Sequence, residues 1–267
     1  MKDIRIGNQT AFMAKTPLEP FLYAVKNHFK AFEWFPDKKE SGAGWDLEDI
    51  SVAGRRRIKE TAKKHDLALT VHAPWWANPL QPEDAHIFFE QVRFAQDIGA
   101  TLLNIHLNTE AGLKKYVQAI LPLINHCHET GLSLSIENTP ITTPEDFNRL
   151  FGLLHDFHDT PIDHVGMCFD LGHANLCSST QNNYIGFLDR LSRQVSLIHI
   201  HLHENYGDQD SHLVIFTGPA GESDLGIRAF LERLAGRAYT GAIILEQWPD
   251  PPSMLNQARD RITRMLA

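Results

Sequence analysis

The sequence predicts an α/β protein built as a single (β/α)8 barrel, the TIM-barrel fold. The hydrophobic period switches regularly between two and 3.6 along the chain, which is typical of alternating strands and helices. The 267 residues, 43% of them hydrophobic, can bury the core of one barrel. No linker rich in Pro, Gly or Ser and no low-complexity run marks a boundary between two domains. We therefore expect residues 1–267 to form one domain.

Eight short apolar runs rich in β-branched residues are the predicted strands. They cover residues 4–8, 31–35, 67–72, 102–106, 132–137, 165–170, 195–201 and 242–246.

Amphipathic helical patterns lie between these strands. Apolar residues recur at i, i+3, i+4 and i+7 in the stretches 113–124, 147–154, 184–191 and 227–234. Thr143 followed by Pro144 predicts a helix start, and Gly99 and Gly131 lie where helices should end.

The alternation of strands and helices favours a parallel barrel, because a parallel crossover needs a helix-length connection. A doubly wound open sheet is the alternative, but no G-x-G-x-x-G follows the first strand. The active site of such a barrel lies at the carboxyl ends of its strands. The longest connections after strands, 35–50 and 203–223, are expected to cap this mouth.

The composition favours a soluble cytoplasmic protein without a membrane partner. The N-terminus enters a strand pattern directly, and no apolar run approaches the length of a membrane span. The three cysteines form no C-x-x-C pair, which suits a reducing compartment. The composition carries no signal of an oligomeric state.

The charge balance disfavours a nucleic-acid partner. Lys and Arg total 25 against 33 Asp and Glu, a formal charge of −8. The one basic run, residues 55–57, lies early in a predicted helix and is expected to be a solvated face.

Residue types that can bind metal ions follow most of the predicted strands. The stretch 197–212, which contains LIHIHLHEN and DSH, carries four imidazoles and three carboxylates. The full set of candidate ligands is His72, His106, Glu137, Asp170, His173, His201, Asp210, His212 and Glu246. Such a set suits Zn and also Mn, Fe or Co. Because one catalytic zinc uses about three protein groups, nine convergent groups predict two or three ions that share a bridging carboxylate.

The pattern resembles the endonuclease IV and xylose isomerase-like barrel superfamily over nearly the whole chain. The resemblance rests on D-x-x-H after one strand, H-x-H-E-N after the next and D-x-H soon afterwards. It implies three zinc sites: the first with His72, His106 and Glu137; the second with Glu137 as the bridge, Asp170, His201 and Glu246; the third with His173, Asp210 and His212. The stretch 217–222 is longer than the corresponding turn of endonuclease IV, and DNA-reading loops rich in Arg are not evident.

Two enzyme mechanisms remain open, and the first is metal-assisted hydrolysis of a phosphoester in a small phosphorylated sugar-type substrate at a di- or trinuclear site. The second is a sugar or sugar-phosphate isomerase or epimerase that uses one metal ion, with Glu137 and Glu246 as the catalytic pair that moves a proton. An abasic-site DNA endonuclease and a non-catalytic binding barrel are further alternatives. The acidic composition disfavours the former, and nine intact ligand positions disfavour the latter.

Six further side chains are candidate substrate contacts. Trp75 and Trp76 either stack on a sugar or base or pack under a loop. Glu33 either orients a ligand or binds a substrate hydroxyl, and His203 and Glu204 either reach the substrate or cap the loop. Asn138 is expected to hold sugar or phosphate oxygens.

Overall fold

The computed structural model describes residues 4–11, 13–39, 41–157 and 160–267. Eight parallel strands close into a barrel in sequence order, and β1 pairs with β8. The strands are β1 (Arg5–Gln9), β2 (Ala31–Trp34), β3 (Ala68–His72), β4 (Leu102–His106), β5 (Ser133–Glu137), β6 (Val165–Asp170), β7 (Leu197–Leu202) and β8 (Ala242–Leu245). The predicted barrel is therefore confirmed and the open sheet is excluded.

A helix follows each strand on the outside of the barrel, with two extra short helices in the loops after β6 and β7. The helices in the described residues are α1 (Leu18–Lys26), α2 (Val52–His65), α3 (Ala85–Ile98), α4 (Leu113–Thr130), α5 (Pro144–His155), α6 (Leu171–Leu176), α7 (Tyr184–Arg190), α8 (Pro219–Glu222), α9 (Leu225–Gly236) and α10 (Ser253–Leu266). None of these helices has the combined length and apolar character needed to cross a membrane.

The helix ends predicted from the sequence are confirmed. Thr143 caps α5 in a capping box with Asp146, whose backbone N–H donates to the Thr143 hydroxyl over 3.2 Å. The α3 and α4 helices end at Gly99 and Gly131 with φ of 76° and 73°, a conformation in which a side chain would be strained.

The predicted start of β7 was two residues early. Val195 lies in a turn, where its N–H donates to the carbonyl oxygen of Ser192. Arg237 crosses from the end of α9 and donates to the carbonyl oxygens of Val195 and Leu191. These bonds direct the backbone of the turn away from a neighbouring strand, so the apolar pattern alone misplaced the boundary.

The long loop after β2 is anchored beside the barrel by aromatic packing. Trp45 in this loop is buried and packs edge-on against Trp34 of β2, with ring centroids 5.5 Å apart. Its indole N–H donates to the carbonyl oxygen of Phe35 over 2.7 Å. Phe35 in turn packs on His72, with centroids 4.4 Å apart, so the loop reaches the mouth of the barrel as expected.

The basic run on α2 lies on the outer surface of the barrel. Arg55 donates to Asp97 of α3 and to the carbonyl oxygens of Leu47 and Ile50, while residues 56 and 57 are exposed. The expectation of a solvated face holds for those two residues, and Arg55 joins two helices.

Candidate metal centre

The barrel brings all nine predicted ligands together at the carboxyl ends of its strands. Parallel register aligns His106 with Glu137, and Asp170 with His201, on neighbouring strands. The nine are positioned as follows: His72, His106, Glu137 and Asp170 end β3 to β6, His201 lies in β7, Glu246 follows β8, His173 lies in α6, and Asp210 and His212 lie in the loop after β7.

Glu137 is the centre of the cluster, and its two oxygens face different imidazoles. Its Oε2 lies 3.1 Å from Nε2 of His72 and 3.2 Å from Nδ1 of His201. Its Oε1 lies 3.3 Å from Nδ1 of His173 and 3.6 Å from Nε2 of His106. Burial alone would raise the pKa of Glu137, but the imidazoles of His201 and His106 outweigh burial and hold it well below its usual range. Each oxygen of Glu137 therefore faces its own pair of imidazoles.

A second group of contacts surrounds His201. Its Nδ1 lies 3.2 Å from Oε1 of Glu246 and 3.8 Å from Oδ2 of Asp170. Burial raises the pKa of Glu246; His201 lowers it, but the nearby Asp170 carboxylate raises it further. Together, Glu137, Asp170, His201 and Glu246, with His72 and His106, form what we call the inner site.

A third group lies nearer the solvent. Oδ2 of Asp210 lies 3.2 Å from Nε2 of His173 and 3.1 Å from Nε2 of His212. Burial opposes protonation of His212, but its hydrogen bond to Asp210 and the charge of Glu246 raise its pKa to about 9. His212 has φ of 43°, a left-handed conformation that is uncommon for a residue with a side chain.

The donor atoms of the cluster fit divalent cations. The imidazole–carboxylate contacts given above span 3.1–3.8 Å, and two ligands of one tetrahedral zinc lie about 3.3 Å apart. Nδ1 of His201 and Oε2 of Glu246 are buried without a hydrogen-bond partner. Several carboxylates buried together are costly unless cations compensate them. The set therefore suits zinc and its neighbours in the first transition row.

His203 lies in the same cluster, although the sequence placed it only among substrate contacts. It is fully buried, and its Nε2 lies 3.2 Å from Oδ1 of Asp170, 3.7 Å from Oε2 of Glu246 and 3.8 Å from Oδ1 of Asp210. The sequence signal was its parity with His201, since residues two apart on a strand face the same side. We call His173, His203, Asp210 and His212 the outer site.

Glu33 contacts two histidines of β7. It is fully buried on β2, with Oε1 2.8 Å from Nε2 of His201 and Oε2 2.8 Å from Nε2 of His199. The hydroxyl of Thr70 also donates to Oε2 over 2.9 Å. With Nε2 of His201 against Glu33, its Nδ1 faces Glu137 and Glu246 of the inner site.

Asn138 and Glu204 hydrogen-bond to backbone groups near the cluster. The Asn138 amide donates to the carbonyl oxygen of Asp170 and accepts from its N–H, over 2.9 and 2.8 Å, so both ends are occupied. The buried Glu204 carboxylate accepts from the N–H groups of Phe216, Gly218 and Ala220. It therefore fixes the loop that carries Asp210 and His212, a capping role that was the other alternative.

Aromatic side chains line the rim above the cluster. Trp75 and Trp76, in the loop after β3, have 56% and 52% of their surface exposed, so neither is packed under a loop. Lys39 lies over the Trp75 ring, 5.8 Å from its centroid. Tyr206, which follows the HEN motif and was not predicted as a site residue, is 55% exposed.

The mouth is poor in basic residues. The loops that follow the eight strands contain no Arg, and their lysines are Lys15, Lys38 and Lys39. Lys38 is paired with Asp46 and Asp49 at 2.7 and 3.2 Å. Nucleic-acid binding depends on Lys and Arg contacts to phosphates, and these loops offer three lysines, of which Lys38 is paired.

Comparisons with known proteins agree with this architecture. A family model described as xylose isomerase-like TIM barrel matches residues 21–265. An uncharacterized protein of Methanocaldococcus jannaschii is 25% identical over 219 residues, 74% of this chain and 70% of the relative. A probable endonuclease 4 of Thermoplasma volcanium is 26% identical over 215 residues, 73% of each chain.

Solved structures resemble the chain over almost its whole length. A D-tagatose 3-epimerase-like protein superposes with a TM-score of 0.76 at 20% identity, covering 98% of this chain and 97% of the other. The TTHB071 protein of Thermus thermophilus, soaked with ZnCl2, has a TM-score of 0.66 at 19% identity and covers 98% and 99%. At these identities the likeness shows the fold.

Proposed function

Because the chain belongs to the xylose isomerase-like TIM barrel family, as its ligand motifs predicted, we propose that it is a divalent-metal-dependent phosphoesterase. Its substrate would be a small phosphorylated molecule of the sugar type. The observation that carries the proposal is the convergence of nine candidate ligands in one contiguous cluster, including the His173, Asp210 and His212 group. A single-metal isomerase has no required use for that group.

The side chains divide the work by position. Divalent ions in such a cluster lower the pKa of bound water and neutralise charge on a phosphoryl group. Glu137 presents one oxygen to His72 and His201 and the other to His106, so this one carboxylate would serve two cations. Glu33 lies 2.8 Å from Nε2 of His201 and would help to hold that ring in place before substrate binds.

The rim favours a small substrate. Two exposed indoles beside Lys39 offer a stacking surface and one positive charge next to the cluster. The loops around them are acidic and lack Arg, which disfavours a polyanionic duplex. The positive charge that binds a compact phosphoester would come from the metal ions of the cluster.

The test combines metal content with hydrolysis. We expect two or three ions per chain by elemental analysis and zinc-dependent release of phosphate from small phosphate esters. Replacing Asp210 and His212 together should reduce turnover at least about tenfold, and Glu137→Gln should abolish it. One ion per chain, or full turnover in the Asp210 and His212 double variant, would contradict the proposal. Salt-sensitive binding and cleavage of abasic duplex DNA would instead establish a nucleic-acid substrate.

A specific observation favours sugar isomerisation or epimerisation as a second candidate. Glu137 and Glu246 lie on either side of His201, each 3.2 Å from its Nδ1, and their pKa values move in opposite directions. Two carboxyl groups whose surroundings shift their pKa values apart are suited to removing and returning a proton beside a carbonyl. Deuterium incorporation from solvent into a ketose, with one ion per chain, would favour this reaction over hydrolysis.

A further inference from the structure

We propose that His203 is a metal ligand, and that the outer site is a four-donor site closed by protein side chains. This inference rests on the proposed function, because it concerns the outer part of the same cluster. One donor atom from each of His173, His203, Asp210 and His212 lies within 4.8 Å of every other. Four protein donors complete a tetrahedral zinc and leave no open position.

Backbone carbonyls fix two of the three imidazoles in the orientation that a ligand requires. Nδ1 of His173 lies 2.8 Å from the carbonyl oxygen of Asn138, a partner to which it can only donate. Nδ1 of His212 lies 3.2 Å from the carbonyl oxygen of Glu246 in the same way. In both rings Nε2 is left unprotonated in the neutral form and faces Asp210.

His203 lies next to the same group of donor atoms. Its ring stacks on the His212 ring with centroids 3.9 Å apart and an interplanar angle of 10°, so one of the two rings has to turn before both Nε2 atoms can bind the same ion. Its Nε2 is held among carboxylates, 3.2 Å from Asp170 and 3.8 Å from Asp210. A neutral imidazole presents an unprotonated nitrogen to a cation there, and neighbouring carboxylates supply the compensating charge.

Gly172 makes the room that His203 occupies. A Cβ at position 172 would overlap the His203 ring at Cε1. Residue 172 lies between Asp170 and His173 in the D-x-x-H motif, so the chain needs a residue without a side chain beside its ligands. This need arises only because a full imidazole is present at residue 203.

The outer cation would hold the loop after β7 in place, while the inner site keeps open positions for chemistry. The loop supplies Asp210 and His212, whose side chains are 35% and 37% exposed, whereas the barrel supplies the buried His173 and His203. His212 has its unusual φ of 43° at this junction. An ion bound here joins the loop to the barrel, and we expect it to be the most tightly held of the bound ions.

The test is zinc binding by the full chain, measured by competition with a chromophoric chelator, in His203→Gln and Gly172→Ala. His65→Gln, at an exposed histidine in the last turn of α2, is the matched control. We expect both variants to bind one ion at least about tenfold more weakly, with the control unchanged. The zinc-induced rise in Tm, taken from each variant's own metal-free Tm, should shrink in the same two variants. A merely structural role would lower both Tm values equally.

The outcomes separate the two proposals. If the wild-type chain binds two or more ions and both variants bind them with wild-type number and affinity, His203 is not a ligand and the inference fails. If the wild-type chain binds a single ion, the phosphoesterase proposal fails. The outer-site assignment then depends on whether that ion is weakened by His203→Gln, which supports it, or only by Glu137→Gln, which refutes it.

Discussion

The orientation of one imidazole depends on a carboxylate at the bottom of the site. Glu33 contacts Nε2 of both His201 and His199, and Glu33→Gln replaces one of its two acceptor oxygens by a donor. One imidazole N–H then faces an amide NH2 group. We expect zinc affinity to fall about 10–100-fold, measured by chelator competition. Thr70→Val, which removes only a neutral donor to Glu33, should have a smaller effect; equal effects would argue against orientation as the cause.

The free energy of unfolding of the metal-free protein should depend on pH because of His212. Its folded pKa of about 9 lies above the value of about 6.5 in an unfolded chain. The pairing therefore contributes stability fully below pH 6.5 and loses it as the pH rises through about 9. Urea unfolding in EDTA should show this loss in wild type and a flatter profile in His212→Gln. Identical profiles from pH 6 to 10 would rule out the raised pKa.

Side-chain identity predicted where the ligands lie, but not what each contacts. His72 and Asp170 could be located because they end strands and Glu246 because it directly follows one, and parallel strands end at one rim. The roles of Asn138 and Glu204 depend on backbone groups that fold toward them from other segments. A sequence does not encode those directions in any local pattern.

At the scale of elements, the loop after β7 depends on Glu204. Its buried carboxylate satisfies three backbone N–H groups, and leaving such groups unsatisfied costs about 1–3 kcal/mol. Glu204→Ala should lower the free energy of unfolding by that order and weaken zinc binding at Asp210 and His212. Glu222→Ala, exposed in α8 of the same connection, is the control. If Glu204→Ala has normal stability and full zinc binding, Glu204 does not hold this loop in place.

The helices show why some elements could be predicted and others could not. The start of α5 has a cap, a proline and an apolar stripe in its sequence, so local residues specify it. The α6 helix spans six residues, too few for a repeating stripe, and begins because the Asp170 side chain accepts from the N–H of His173. The same carboxylate thus starts a helix and lines the site, so the site positions its own ligand at residue 173.

At the scale of the whole molecule, closure of the barrel joins residues from every part of the chain in one cluster. Metal binding and folding should therefore be coupled, because the unfolded chain cannot assemble such a site. A ligand present at 100 times its Kd adds about 2.7 kcal/mol of stability. For a chain of this size, that corresponds to a rise in Tm of roughly 5–10 °C.

Removing the ions should accordingly lower Tm by at least this amount, since Glu137, Asp170 and Glu246 are then left together without a cation. Calorimetry on EDTA-treated protein, followed by zinc readdition, measures the change. Glu246→Gln in EDTA should recover part of the loss, because burial and the nearby Asp170 carboxylate raise the pKa of Glu246, yet it should gain less from zinc. If Tm stays constant while elemental analysis records complete loss of metal, the cluster is not the cation-binding centre of the barrel.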